Sequence, residues 1–132
     1  HWNVEGPGFF ALHTAFQTQY EELFLAIDEI AERIRALDAY AIGGLGTLAQ
    51  AAQMNEFSSP LAQEDYVRAL IAANEKLVGD AARARDVAGS ANDAESQDLM
   101  IGRIVMAHVR DEVAPGLQLA IRVDLSISHN TS

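Results

Sequence analysis

The sequence predicts an all-α fold, a four-helix bundle with a short helix between the second and third long helices. The chain has 132 residues, which suits one domain, and 49% of them are hydrophobic, which is enough for a single core. Proline occurs three times only, whereas Ala, Leu, Glu and Gln, which favour helices, are abundant. Apolar residues recur at steps of three and four over long stretches, the spacing of one helix face.

The first predicted boundary is the turn Gly6-Pro7-Gly8, because glycine and proline end a helix and permit a tight reversal. Residues 1–4 before it are predicted to be the end of a helix whose earlier part is missing, so we expect the start to be truncated within the first helix. From Phe9 to about Leu37 the pattern predicts one long amphipathic helix. Its apolar positions are Leu12, Phe16, Leu23, Ile27, Ile30, Ile34 and Leu37.

Three further elements are predicted along the rest of the chain. Gly43, Gly44 and Gly46 break the pattern, and Thr47 could cap a short apolar helix through Leu48 to Met54. The next long helix runs from Leu61 to about Val87 and ends in the stretch 88–92. Asn92 or Asp93 can cap the last long helix, which continues to about Val113 before Pro115-Gly116. Residues 117–132 alternate only weakly and stay unassigned within the single domain 1–132.

Composition limits the chemistry and the partners. Nine Lys and Arg residues against nineteen Asp and Glu residues give a net charge of -10, which repels phosphate backbones and attracts cations. Because the chain has no cysteine, a metal must bind to imidazole and carboxylate groups. No apolar run approaches the roughly 20 residues of a membrane span, and no signal peptide is recognisable. We therefore expect a cytoplasmic protein that does not bind membranes.

Two pairs of polar residues on the first long helix are candidate metal ligands. His13 and Gln17 lie four residues apart, as do Asp28 and Glu32, so each pair occupies adjacent turns of one face. His13 and Asp28 are separated by roughly 22 Å of helix axis, too far for one metal. If two copies pack antiparallel about a two-fold axis near residues 22 and 23, His13 of one chain lies opposite the carboxylates of the other. The predicted site is then shared, twice per dimer.

His1 can join His13 if the Gly-Pro-Gly turn brings the chain back to the level of His13. Two imidazoles and two carboxylates suit iron, manganese or zinc, with iron favoured, and vacant coordination positions would permit oxygen or peroxide chemistry. A site inside one subunit is disfavoured, because the Glu-x-x-His pairs of a self-contained di-iron bundle are missing.

Structural interpretations stand beside these functional ones. Asp28 and Glu32 could belong to a solvated face of ion pairs with neighbouring charges, and His13 could be a core or interface histidine. Trp2 could be a packing anchor, and the helix dipole explains acids such as Asp93 and Asp98 at a helix start. His108 and His129 have no carboxylate at ligand spacing and stay unassigned.

The start of the chain resembles a known signature. The pattern His-Trp-Asn-Val-x-Gly-x-x-Phe-x-x-Leu-His at 1–13, followed by Asp-Glu-Ile-Ala-Glu-Arg-Ile at 28–34, is similar to the ferroxidase motif of the Dps family of mini-ferritins. The resemblance implies a ferritin-like four-helix bundle assembled as a hollow dodecamer. It implies that His1 and His13 are iron ligands from one subunit, with Asp28 and Glu32 from its partner, and that Trp2 beside the site absorbs radicals.

The same resemblance implies iron(II) oxidation, with hydrogen peroxide preferred, then storage of ferric iron and protection against oxidative damage. Asp93 and Asp98 are candidates, on charge alone, for lining an iron-entry pore. Gln17 departs from the family, which usually has an acid there, so weaker binding of the second iron is expected. A second departure follows His108, where the family usually continues the helix with a tryptophan.

Two other functions remain open at this stage. One is a shell that shields DNA with little oxidation, where DNA binding and nucleoid association would depend on termini outside this sequence. The other is a metal-dependent hydrolase on the same scaffold, because a metal with a vacant position can activate water.

Overall fold

The computed structural model describes residues 1–54 and 60–107, and α-helices account for most of them. The helices are α1 (Phe9–Ala36), α2 (Leu45–Ala52), α3 (Gln63–Ser90) and α4 (Ala94–Ala107). No strand occurs in these two ranges, and the prediction of an all-α fold with a short helix between long ones is confirmed. The predicted extension of the last helix to Val113 and the tail 117–132 lie outside the described residues.

Helix α1 begins at the turn that the sequence predicts. The Phe9 amide donates to the Gly6 carbonyl at 3.1 Å, and the Leu12 amide donates to the Gly8 carbonyl at 3.0 Å. Its last turn carries Arg33 and Arg35, whose charges suit the negative end of the helix dipole. The observed end at Ala36 agrees with the predicted end near Leu37.

Two predicted boundaries are wrong. Residues 1–4 are not helical, and the His1 carbonyl accepts a hydrogen bond from the His13 ring at 3.0 Å instead of from a helix turn. Val4 instead packs into the core and is 2% exposed. Helix α2 begins at Leu45 with Gly44 at its N-cap, not at Thr47, since the Leu48 amide already donates to the Gly44 carbonyl at 2.8 Å. Gly44 therefore caps the helix and Gly46 lies inside it, whereas both were predicted to precede it.

A tight turn joins α3 to α4. Asn92 adopts a left-handed conformation with φ 57°, and the Asp93 amide reaches back to the Ala88 carbonyl at 2.9 Å, which closes the end of α3 as a Schellman motif does. The Asp93 carboxylate then accepts a hydrogen bond from the Ser96 amide at 3.1 Å. The prediction that Asp93 caps this helix is confirmed, and the two helices run antiparallel.

Ion pairs hold α4 against α1. The Arg33 guanidinium contacts the carboxylates of Asp93 and Glu95, each at 2.6 Å. Further along both helices, Arg103 contacts Glu29 at 2.6 Å. The later residue of α4, Arg103, thus contacts the earlier residue of α1, Glu29, so these two helices are also antiparallel.

The described core is small and lies near the start of α1. Its buried members are Val4, Leu12, Phe16 and Val67. They join the first half of α1 to the first half of α3, so α1 and α3 run parallel, as the long connection through α2 requires. No helix in the described ranges is long and apolar enough to cross a membrane.

Beyond this core the three long helices leave an open apolar groove of about 270 Å³. Its lining includes Leu23 and Ile27 from α1, Leu77 and Ala81 from α3, and Met100 from α4. In a four-helix bundle the remaining long helix covers such a groove. That arrangement accords with the predicted first helix, whose main part would precede residue 1 and which stays a prediction.

We expect Asp93→Asn to make the protein less sensitive to acid. Hydrogen bonds from the side chain and backbone of Ser96, together with the charge of Arg33, hold the pKa of Asp93 below its usual value. A lowered pKa stabilises the fold fully above the unfolded-state value of about 3.9, and this contribution is lost as the pH falls through the folded-state value. Urea unfolding at pH 7 and pH 3 should give a smaller difference in midpoint for Asp93→Asn than for the parent. The exposed Asp98→Asn is the control, and equal pH dependence in all three proteins would contradict the assignment.

Candidate metal centre

His1 and His13 form a stacked pair at the start of α1. Their ring centroids lie 4.0 Å apart with an interplanar angle of 29°. The His1 Nδ1 lies 3.2 Å from the His13 carbonyl oxygen, and the His13 Nδ1 lies 3.0 Å from the His1 carbonyl oxygen. The prediction that the turn returns His1 to the level of His13 is thus realised within one chain.

These reciprocal bonds decide which ring nitrogen carries the proton. A carbonyl oxygen can only accept, so each Nδ1 must donate its hydrogen. In a neutral imidazole the Nε2 then keeps its lone pair. Metal-binding histidines are commonly oriented in this way, with the other ring nitrogen donating to a carbonyl. In this arrangement Nε2 is the ring nitrogen of each histidine that would be left to accept a ligand.

Gln63 supports the turn that positions His1. Gly6 has φ 101°, a conformation that costs glycine little and other residues much. The side-chain amide of Gln63 packs against this turn and accepts a hydrogen bond from the Gly8 amide at 3.4 Å. A Cβ added to Gly6 would come within 3.0 Å of Gln63 Cδ. The first residue of α3 thus fixes the path of the chain into the histidine pair.

Aromatic rings surround the histidine pair on two sides. The Phe9 ring stacks on His13 at a centroid distance of 5.0 Å, and Tyr20 meets His1 edge-on at 5.2 Å. Trp2 is 88% exposed, so it does not pack as an anchor in the described part of the chain. Tyr20 was not predicted as a site residue, although its position seven residues after His13 is a signal for the same helix face.

Asp28 and Glu32 lie exposed on α1, away from the histidines. Their charged neighbours are engaged elsewhere, because Glu29 pairs with Arg103 and Arg33 pairs across to α4. Within the described ranges no hydrogen bond or ion pair engages the carboxylate of Asp28 or Glu32. The ion pairs of the alternative interpretation are absent there, whereas the exposure of both carboxylates fits its solvated face, so their role as ligands stays a prediction.

The other candidates have different surroundings. The Gln17 side-chain amide donates to the Glu21 carboxylate at 2.8 Å, a contact between adjacent turns of α1 that the sequence analysis did not consider. Asp93 is engaged by Arg33 and Ser96, whereas Asp98 is exposed. The pore role suggested for Asp93 and Asp98 stays a prediction.

One chain does not assemble a complete site in its described part. No three His, Asp or Glu residues there come close enough to share a metal. The imidazoles lie at or just before the start of α1 and the carboxylates lie near its end, and together these group types would suit iron. That they bind a metal stays a prediction.

Comparison with known proteins defines the class. The sequence pattern of the ferritin-like domain matches residues 1–112. The DNA protection during starvation protein of Brevibacillus brevis is 34% identical over 100 residues, which cover 76% of this chain and 67% of that protein. A second protein of that name, from Bacillus anthracis, is 30% identical over 102 residues.

Solved structures agree with these relatives. The Dps protein of Vibrio cholerae superposes with a TM-score of 0.82 at 29% identity, covering 89% of this chain and 74% of that one. It is described as a member of the ferritin-like diiron-carboxylate superfamily. The Dps protein of Bacillus brevis gives a TM-score of 0.83 at 30% identity. The chain belongs to the ferritin-like domain family and, within it, to the Dps family.

We expect nitrogen-15 NMR to find His1 and His13 protonated on Nδ1 in the metal-free protein at neutral pH. The tautomer follows from the two carbonyl acceptors. Solid-state spectra of histidine-labelled protein distinguish the two tautomers by the chemical shifts of the ring nitrogens, and His1→Gln and His13→Gln assign the signals. A proton on Nε2 of either ring would contradict the proposed orientation.

We expect Gly6→Ala to destabilise the turn by about 1 kcal/mol or more, because alanine is strained at this positive φ and its Cβ would crowd Gln63. The midpoint of urea denaturation measures the effect. Gly46→Ala is the matched control, since no atom lies within 4 Å of its Cβ and alanine favours the helix α2. Equal stability of Gly6→Ala and the parent would show that the turn does not need glycine.

Proposed function

We propose that this protein oxidises iron(II) at sites shared between two subunits, preferentially with hydrogen peroxide, and stores the ferric product. The reaction consumes two iron(II) ions, one peroxide and two protons, and it yields two iron(III) ions and two waters. The observation that carries the proposal is the reciprocal hydrogen bonding of His1 and His13, which leaves both Nε2 atoms free for a metal. Removing iron(II) and peroxide together would protect the cell from the radicals that they form.

The exposed face of α1 supports sharing between subunits. Tyr20, Phe24 and Leu25 are 48%, 73% and 64% exposed, and they lie between the histidines and the carboxylates. Exposed apolar side chains of this size mark a surface that another protein covers. A second copy packed antiparallel about a two-fold axis near residues 22 and 23 would cover them.

The same packing would complete the donor set. His13 would lie at the level of Glu32 of the partner subunit, and Gln17 at the level of the partner's Asp28. Two neutral imidazoles would then meet two carboxylates at each end of the interface. Carboxylates favour iron(III), the harder and more highly charged ion, so they would stabilise the product of oxidation. The imidazoles would retain iron(II) before it reacts.

The family relationship supports the wider role. The printed names of the relatives from Brevibacillus brevis and Bacillus anthracis refer to DNA protection during starvation. We infer a protective role of the same kind here, in the cytoplasm. We further infer that the two-fold dimer is part of a closed homo-oligomer, a dodecamer by resemblance to the family, in whose cavity ferric iron collects.

We expect Asp28→Asn and Glu32→Gln each to lower the rate of iron(II) oxidation by peroxide roughly 10-fold or more, since each removes a charged ligand while keeping its shape. Stopped-flow absorbance of the ferric product measures the rate. Asp38→Asn is the matched control, because Asp38 is exposed at the end of α1 and asparagine tolerates its φ of 66°. Rates equal to the parent in both ligand variants would remove these carboxylates from the site.

We expect the 132-residue chain not to retard duplex DNA in a gel at low salt. Its net charge of -10 opposes the phosphate backbone, where attraction would need clustered lysine and arginine. Protection of DNA would then result from the oxidation of iron(II) and not from a protein shell bound to the DNA. Salt-sensitive retardation by this chain would favour the DNA-shielding alternative.

A further inference from the structure

The contact between Gln17 and Glu21 bears on the second metal position of the proposed site. His13, Gln17 and Glu21 follow one another at intervals of four residues, so they form one ridge along α1. Gln17 is partly buried and Glu21 is exposed. The Gln17 Nε2 donates to Glu21 Oε1 at 2.8 Å.

This hydrogen bond fixes the direction of both side chains. A carboxylate can only accept, so the NH₂ group of Gln17 must face Glu21. One Glu21 oxygen is engaged by Gln17, and no other contact of the Glu21 carboxylate is present in the described ranges. The second oxygen of Glu21 is therefore free to accept a further partner.

Charge balance indicates what that partner is. Two iron(II) ions bring four positive charges, whereas an imidazole that binds a metal adds no charge and the partner's Asp28 and Glu32 would bring two negative charges. Gln17 adds none. Divalent cations with hard character bind best where carboxylates offset their charge. A carboxylate within reach of the Gln17 position would reduce the excess of positive charge at the two metal ions.

Glu21 is in the right place to do so. It lies about 6 Å further along α1 than Gln17, toward the proposed two-fold axis. In the antiparallel pair the partner's Asp28 lies at the level of Gln17, so Glu21 is one turn away from it. The length of a glutamate side chain can bridge that separation when the neighbouring glutamine holds it.

We propose that the Glu21 carboxylate is a ligand of the second iron(II) in the shared site, and that Gln17 positions it by hydrogen bonding. The proposal rests on the proposed function and deepens it. Gln17 and Glu21 together then replace a single acidic ligand at position 17. The site holds two metals with comparable affinity, contrary to the weaker second iron that Gln17 alone implies.

Binding of cobalt(II) without oxidant tests the proposal separately from activity. Isothermal titration and the visible absorption of cobalt(II) should count two ions per chain in the parent. Glu21→Gln should lose the second ion, or weaken its binding roughly 10-fold or more, and keep the first. Glu22→Gln is the matched control, because Glu22 lines the groove between α1, α3 and α4 instead of this ridge.

Two further variants separate a ligand from a structural residue. Gln17→Asp places a carboxylate directly at the site, so adding Glu21→Gln in that background should leave two cobalt(II) ions bound. Non-additivity of this kind is the sign of two residues that serve one position. A residue that only stabilised the helix would weaken both backgrounds alike.

Each other outcome is decisive. If Glu21→Gln binds two ions as tightly as the parent, or the parent binds only one, Glu21 is not the ligand. If Asp28→Asn and His13→Ala also bind as the parent does, the shared site itself is wrong. Loss of both ions in those two variants, with no effect of Glu21→Gln, would contradict this inference and leave the proposed function standing.

Discussion

The length of α1 sets the distance between the proposed histidine ligands and the proposed carboxylate ligands. Each residue advances the axis by about 1.5 Å, so the histidines at the start of α1 and the carboxylates near its end cannot meet in one chain. Nothing in the described residues bends α1 to bring them together, since it is helical from Phe9 to Ala36. The proposed donor set would therefore need two helices, and a two-fold axis would generate the second from the same sequence.

Other contacts orient the proposed histidine ligands and leave the proposed carboxylate ligands without an ion pair in the described residues. Reciprocal bonds to main-chain carbonyls orient the two imidazoles, and Gln63 secures the turn that makes those bonds possible. At the other end, Arg33 and Arg103 are engaged by acids that are not part of the site. Had they paired with Asp28 or Glu32, the proposed ligands would be neutralised. The ion pairs between α1 and α4 thus stabilise the bundle and leave the exposed face of α1 unpaired.

Much of the fold could be predicted from the sequence because its signals are local. The apolar period of α1, the turn at Gly6 and the cap at Asp93 depend on residues that are close along the chain. The prediction for residues 1–4 was wrong because Val4 lies in a buried cluster with Val67, a distant residue that local propensity does not contain. The start of α2 was misplaced although its signal is local, since the Leu48 amide donates to the Gly44 carbonyl.

The candidate site also has some features that local spacing could predict and others that depend on distant residues. Spacing alone could select His13, Asp28 and Glu32, and the contact between Gln17 and Glu21 was also accessible as a pair four residues apart. The tautomer of the histidines could not be predicted, because it depends on carbonyl groups brought together by the chain reversal. The role of Gln63 could not be predicted either, because Gln63 lies 55 residues along the chain from Gly8 in the turn that it supports.

The most direct measurement of the central claim is oxidation of iron(II) by oligomers that contain two complementary defective chains. His13→Ala and Asp28→Ala chains carrying different tags are coexpressed, purified through both tags and compared with each variant alone. A shared site predicts that each variant alone is slow, whereas each mixed dimer has one intact site. In a dodecamer random pairing makes about half of the dimers mixed, so the rate should recover to about a quarter of the parent value, and in a separate dimer selected through both tags to about half. Mixed oligomers that stay as slow as the separate variants would contradict the account.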